Sequence, residues 1–520
     1  MKRKWKMPFL SVLFCCVIVL VWGLTQTNRI ALVGDEIYSF GLSNGNEGAF
    51  YYQDLYYERC GVGGWLPGTE LENWMEVGDK SPFSYQYVWA NQAEDVHPPL
   101  YYAFLHTICS VAKYSHSRVL GLLINLVAAF FLFLGLFRWE QELLKQRGDD
   151  TLTKHSWLPG FFLLMLPGTW LVFRYLRMYT MLMAECVWFS YLLYQILGRK
   201  EIKRKQVLML FLTVVMGGLT HYFFYVYAFF IALFVGIAMI IRKAPWRMIV
   251  RYTLTLLTGV ALDFVLFPTS YFHLFGSYRA KDLQNNISSV NTNLQDYLEQ
   301  MSNWICPAVG IILILILVML ILVRKLIYID KNLWIIWSGV TIATLLIIRS
   351  AVTVSFYYVA PLYAFIAIGL ADIALQIWSR EKQNRIAGIL MVAVCALLLG
   401  SVVRFNIQER RNATNQVKAQ EALEAIGKAD VYFVQRYSYW DNIFDGWLEQ
   451  LSQFDEWTIG HEEEFPEGWF FKVAGDRVSC EDPLLILIRT GFWDEQGEDL
   501  KEQFSLVAEY NGYYYLRYEE

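Results

Sequence analysis

Eleven apolar runs constrain this chain more than anything else in it. They lie near residues 8–26, 118–137, 157–173, 180–197, 206–220, 223–241, 248–268, 302–323, 333–348, 352–377 and 387–403. A helix rises about 1.5 Å per residue, so roughly 20 apolar residues cross the ~30 Å hydrocarbon layer. No water-soluble core has room for so many such helices. Composition agrees: only 18% of the residues are charged, against about 25% in a soluble domain. A disordered chain, a collagen-like fibre and an ordinary cytosolic enzyme are excluded. The expected fold is a polytopic α-helical membrane protein, and nothing in the sequence addresses nucleic acid.

The stretch 97–112 (HPPLYYAFLHTICSVA) is apolar but short. The distribution of positive charge decides whether it crosses, because cytoplasmic loops are enriched in Lys and Arg. With an inner N-terminus and 97–112 left on one side, the inner segments hold 23 Lys and Arg and the outer loops, the C-terminal tail aside, ten. Counting 97–112 as a span reverses the bias from residue 138 onward. The expectation is therefore about eleven spans, N-terminus cytoplasmic, C-terminus outside. The basic start and apolar run at 8–26 lack a small-residue cleavage site and read as an uncleaved first span.

Two hydrophilic pieces then fall outside. Residues 27–117 form a long first outer loop within a membrane domain of residues 1–403. Before His97 this loop carries eleven acids against three bases. Residues 404–520 form a tail with 24 acids and 11 bases, long enough for a small extracytoplasmic α/β domain. In the tail, 409–427 reads as a helix, and 429–435, 484–489 and 513–518 read as strands. Cys15, Cys16, Cys109, Cys186 and Cys395 lie in apolar runs and pack as small hydrophobes. Cys60 and Cys480 lie in polar stretches and pair only if the fold brings them together.

Four segments carry chemistry-bearing residues. The first, Gly34-Asp35-Glu36-Ile37-Tyr38-Ser39, sets two carboxylates about nine residues past the first span. It is either a solvated loop or a general base at the membrane surface. The second, Asp95-Val96-His97-Pro98-Pro99, precedes an aromatic run, where two prolines suit a first helical turn. Third is Phe173-Arg174-Tyr175-Leu176-Arg177-Met178-Tyr179. Its arginines either snorkel at a helix end or bind a phosphate through the guanidinium fork. Fourth is Thr220-His221-Tyr222, a packed polar residue pair or a ligand set. The topology puts all four at the outer face. Glu185 and Asp263 fall inside spans, where acids are functional hypotheses. The aromatic run Phe50-Tyr51-Tyr52 to Tyr56-Tyr57, with Trp65, suits an interfacial belt or sugar stacking.

A first span, an outer D-E-x-Y, an HPPLYY before the next span, then R-M-Y and T-H-Y together resemble the bacterial members of the GT-C glycosyltransferase superfamily. The branch it resembles is the protein-mannosyltransferase and aminoarabinose-transferase group (glycosyltransferase family 39-like). The resemblance covers about residues 8–370 and leaves the tail aside. It implies an integral-membrane inverting transferase that moves a sugar from a polyprenyl-phosphate donor to an extracytoplasmic acceptor. It further implies Asp35 as the catalytic carboxylate that activates the acceptor, with Glu36 in the companion position. Arg177, with Arg174 and Tyr179 beside it, would hold the lipid phosphate, and His97, His221 and Tyr222 would line the site. Such enzymes often carry an Arg-Tyr before a Pro near the last spans. Here Ser355-Phe356-Tyr357-Tyr358-Val359-Ala360-Pro361 lacks that Arg, and either Arg349 at the preceding outer turn replaces it or the phosphate-binding set is incomplete. No cofactor follows from the sequence. The outer acids are compatible with a divalent metal but carry no diagnostic spacing. The competing classes are a transporter or flippase for lipid-linked glycans, which would favour repeated halves and midplane charges, and a catalytically inactive scaffold.

Overall fold

The computed structural model describes residues 6–26, 32–49, 51, 64–79, 81–288, 293–323, 328, 330–351, 353–379, 385–435, 451–462, 483–510 and 512–519. Cys60, Cys480, Phe50, Tyr52, Tyr56 and Tyr57 lie outside the described residues. The chain divides into two compact units. The first comprises residues 1–23, 96–101 and 122–407, the second residues 24–95, 102–121 and 408–520.

The first unit is a helical bundle, and this is an integral membrane protein. Among the described residues seven helices are long and apolar enough to cross a bilayer, or nine if each of two bent pairs counts once. The described residues of the eleven apolar runs are mostly helical; in the run 352–377 the helix begins at Ala360. The helix over 204–220 is 17 residues long, and the described apolar part of the first runs from Leu10 to Thr25. Two runs expected as single spans are broken. Residues 157–173 fold as part of Thr151–Leu164 and then Pro167–Arg174, bent by 81°. Leu166 is extended (φ −100°, ψ 118°), the conformation favoured before proline, because the proline ring crowds a helical predecessor. Residues 302–323 split in the same way at Cys306-Pro307 into Gln295–Trp304 and Val309–Leu322, bent by 83°. The run 97–112 forms the helix Leu100–Val111 of 12 residues. At 1.5 Å per residue it measures about 18 Å, short of the hydrocarbon thickness.

At the bundle's centre stands α1 (Tyr179–Leu197), buried on almost every side. It packs against α2 (Arg204–Thr220), α3 (Phe223–Ile241), α5 (Lys331–Ser350) and α6 (Ala360–Trp378). A further helix, α4 (Trp246–Leu266), lies against α2. The peripheral helices expose Leu, Ile and Phe, such as Leu313, Leu317 and Phe229. Exposed apolar rows are what a lipid solvent selects. At the end where α1 finishes and α5 starts, polar groups knit the bundle. Asp330 caps α5 through the amides of Asn332 and Leu333, at 2.8 and 3.1 Å. It also accepts from the Tyr194 hydroxyl at 2.7 Å. Arg147 pairs with Asp372 beside it.

The second unit joins residues from the loop 27–117, expected as the first outer loop, with those of the tail. Among the described residues its sheet has six strands, ordered β1-β3-β2-β4-β6-β5. These are β1 (Leu66–Pro67), β2 (Asp430–Gln435), β3 (Glu456–His461), β4 (Leu484–Arg489), β5 (Phe504–Tyr510) and β6 (Tyr513–Tyr518). β2 runs parallel to β3 and β4, and the other pairs are antiparallel. The three strands expected from sequence are β2, β4 and β6. β1, β3 and β5 are additional, and β1 comes from the first outer loop. Val431, Phe433, Leu485 and Leu487 are fully buried on one face and Val434, Ile486 and Ile488 on the other, which suits central strands covered on both faces. The helix expected at 409–427 is continuous with the last span as one 40-residue helix, Arg385–Glu424.

Candidate functional site

The second unit presents Asp35. It sits in the first turn of the helix Gly34–Asn44, exposed to solvent, where the positive end of the helix favours a carboxylate. Its neighbour Glu36 is buried. One of its oxygens accepts from the Val33 amide at 3.1 Å and from Arg118 at 3.0 Å. The Glu36–Arg118 ion pair leaves only 3% and 11% of the two side chains exposed. Glu36 therefore fixes the start of the helix that carries Asp35. The far end is pinned as well. Asn44 donates to the Met75 carbonyl at 2.6 Å, and Asn91 donates to the carbonyls of Leu42 and Gly45 at 3.2 and 2.8 Å. The Trp74 ring lies so close to Gly41 and Gly45 that neither position has room for a Cβ.

The first unit holds the other cluster. The chain between Pro167–Arg174 and α1 makes a tight turn, in which the Arg177 amide donates to the Tyr175 carbonyl at 2.8 Å. The carbonyls released at that helix end are taken up by Asn125. Its Nδ2 donates to Phe173 O at 3.0 Å and Tyr175 O at 2.8 Å. Thus held, Arg177 is 5% exposed and donates through Nη2 to His97 Nε2 at 3.3 Å. A guanidinium has no acceptor, so His97 accepts with Nε2 and carries its proton on Nδ1. The ring centres of His97 and His221 are 6.0 Å apart, and those of Tyr179 and His221 are 5.2 Å apart.

His221 follows the last residue of α2 and is itself buried. Burial pushes its pKa well below the usual 6.5, and the nearby His97 and Arg177 push the same way. Its Nδ1 accepts the Phe223 amide at 3.0 Å. The neutral ring must then carry its hydrogen on Nε2, a donor for an oxygen ligand.

Three tyrosines stack beside this pair. Tyr357 lies 4.4 Å from Tyr179 and 5.1 Å from Tyr175, with ring planes within 27° and 17° of parallel. Tyr358 and Phe223 meet edge to face at 5.2 Å. Tyr363 sets the loop that carries Tyr357, because its hydroxyl donates to the Phe356 carbonyl at 3.0 Å. Gly168 makes room for that ring: a Cβ there would stand 2.5 Å from Tyr363 Cζ.

Of the candidate residues, the structure brings together His97, Arg177, Tyr179 and His221. Tyr222 turns to another network, with its hydroxyl 2.8 Å from His273 Nδ1 and 3.3 Å from Ser270 Oγ. Arg174 closes its helix and Arg349 lies in the last turn of α5, each half-buried. Asp35 and Glu36 belong to the other unit. The two intramembrane acids have hydroxyl partners. Glu185 accepts from Thr220 at 2.8 Å, and Asp263 accepts from Tyr225 at 2.9 Å. Among the described residues no three His, Cys, Asp or Glu side chains gather as a metal site.

Sequence reading did not single out Asn125, Tyr175, Tyr357 or Arg118. Tyr357 had a usable signal, since it stands in the aromatic segment before Pro361. Asn125 had a weaker one, as a lone amide in an apolar run.

No family model and no curated protein matches the sequence. Among solved structures, the chain is similar to ArnT from Cupriavidus metallidurans, both in the apo state and bound to undecaprenyl phosphate. In each case the identity is 12%, the match covers 97% of both chains, and the TM-score is 0.46.

Proposed function

We propose that this protein is an inverting glycosyltransferase of the membrane, using a polyprenyl-phosphate sugar as donor and an extracytoplasmic hydroxyl as acceptor. What carries this reading is the buried Arg177 guanidinium, flanked by two histidines and a tyrosine stack at the end of membrane helices. A polyprenyl donor needs a lipid-embedded enzyme with cationic donors for its phosphate and flat aromatic surfaces for its sugar or isoprenoid. Arg177 offers the fork, His221 Nε2–H a neutral donor, and the tyrosines the surface.

In this scheme the acceptor oxygen bonds to the anomeric carbon on the face opposite the phosphate. The bond from that carbon to the phosphate oxygen breaks, and its electron pair leaves with the phosphate. Arg177 stabilises the charge that grows there. The acceptor proton passes to Asp35, whose carboxylate lies exposed in the first turn of its helix. Glu36 acts through Asp35 as a positioning residue. The leaving phosphate is already a stable anion, so the scheme needs no strong acid. Residues 1–403 would form the transferase domain and 404–520 an extracytoplasmic domain, with the N-terminus cytoplasmic. The test is transfer by purified protein from polyprenyl-phosphate sugars, comparing Asp35→Asn and Arg177→Ala with the parent. Loss of turnover in the first and a raised donor requirement in the second support the scheme. Unchanged transfer in Asp35→Asn removes the base, and unchanged donor dependence in Arg177→Ala removes the phosphate site.

A further inference from the structure

A groove of about 750 Å³ opens on the side of the bundle between α2 and α4. The two helices run parallel and touch near their far ends. There Gly259 has no Cβ, and one would stand 2.7 Å from Val214 Cγ1. The groove lies between that contact and their N-termini. The walls are apolar, with Leu208 and Leu254 more than half exposed. The mouth is basic: Arg204, Arg247 and Arg251 line it together with Trp246, and no acid does. Arg251 is steadied by donating to the Ile202 carbonyl at 2.7 Å. Among the described residues neither Arg204 nor Arg247 has an acidic partner. Both helices begin at this mouth, so their positive dipole ends add to the three guanidiniums.

An exposed apolar trough below a cationic rim, with a tryptophan at the same level, has the layout of a lipid: chain, interface, headgroup. We infer that this groove binds an anionic glycerophospholipid from the leaflet at the basic end of the bundle. The acyl chain lies along Leu208 and Leu254, and the phosphate sits between Arg204, Arg247 and Arg251. This is separate from the donor cluster and independent of the transferase scheme, because none of the groove residues belongs to that cluster.

The test uses purified full-length protein, titrated with phosphatidylglycerol or phosphatidylcholine of the same acyl chains and read by native mass spectrometry. Phosphatidylglycerol should bind as a retained adduct in preference to phosphatidylcholine. The double variant Arg204→Gln/Arg247→Gln should weaken that adduct about 30-fold, two surface charges' worth. Leu208→Trp, which fills the trough and leaves the charge alone, should weaken it too. Both sites are exposed, so the parent melting temperature should be kept in lipid-free detergent. Equal binding of the two lipids, or an unaltered double variant, overturns the inference. So does displacement by excess inorganic phosphate, which would mark a free-anion site. Tighter, arginine-dependent binding of a polyprenyl phosphate would mark a carrier-lipid site instead and also overturns it.

Discussion

Replacing Arg118 by Met removes the cation that sits on Glu36 and leaves its bulk. With 3% and 11% of the two side chains exposed, this is a buried pair. Losing one partner of such a pair costs about 3–5 kcal/mol, because the other charge is left uncompensated. The lower end applies here, since Glu36 keeps the Val33 amide. A loss of about 3 kcal/mol confined to the helix Gly34–Asn44 corresponds to roughly 150-fold faster local opening. Hydrogen exchange with mass spectrometry reads this directly. Amides from Ile37 to Ser43 should exchange about two orders of magnitude faster, while the β2–β4 amides stay at parent rates. Glu36→Gln should do much the same, and the double variant should cost less than the sum of the single ones, because the pair is one interaction. If Arg118→Met exchanges within twofold of the parent over this helix, the ion pair does not hold the helix that presents Asp35. Uniform acceleration across the protein would equally refute a local role.

Four shorter expectations follow. Asp35→Asn should reduce turnover about a hundredfold or more in a transfer assay, with the donor requirement little changed, as loss of a general base does. Arg177→Lys keeps the charge and loses the planar fork; it should raise the donor KM about tenfold, and an unchanged KM would show that the fork is not used. Gly168→Ala should cost about 1–3 kcal/mol by driving a methyl into Tyr363, and should raise donor KM by tilting the loop of Tyr357, read by melting temperature and kinetics together. His221 titrates near 6.5 when unfolded and stays neutral below that when folded. The unfolded state thus binds the extra proton, and this residue's contribution is present above 6.5 and falls away below it by up to about 1.4 kcal/mol per pH unit. His221→Asn should flatten that acid loss relative to the parent in melting curves.

Much of the bundle is legible because hydropathy alone marks a helix that must lie in lipid. The bends are also written locally, at Leu166-Pro167 and Cys306-Pro307, where proline disfavours a helical predecessor and removes a backbone donor. They escape a hydropathy scan because the apolar run continues through the break. In the tail, β2, β4 and β6 announce themselves as compact apolar or aromatic runs. β3 (EWTIGH) does not, since its burial comes from the strands on either side of it. The cluster of His97, Arg177, Tyr179 and His221 is legible as residue types on separate helix ends, and the fold supplies their contact. The partners that hold the sites are not. Arg118 lies 82 residues from Glu36, and Asn125 lies 50 from the carbonyl it satisfies. No local rule ties such pairs, because each contact exists only after the helices pack.

The short strand Leu66–Pro67 carries a consequence in time. Its place in the sheet is beside β3, and next to it Thr458 donates to the Gly64 carbonyl at 2.7 Å, 394 residues along the chain. At roughly 5–20 residues per second, a ribosome needs about 20–80 s to cover that interval. Throughout it the β3 partner of this edge has not been made. The loop that bears Asp35 is thus among the first parts to leave the ribosome and among the last to complete its sheet.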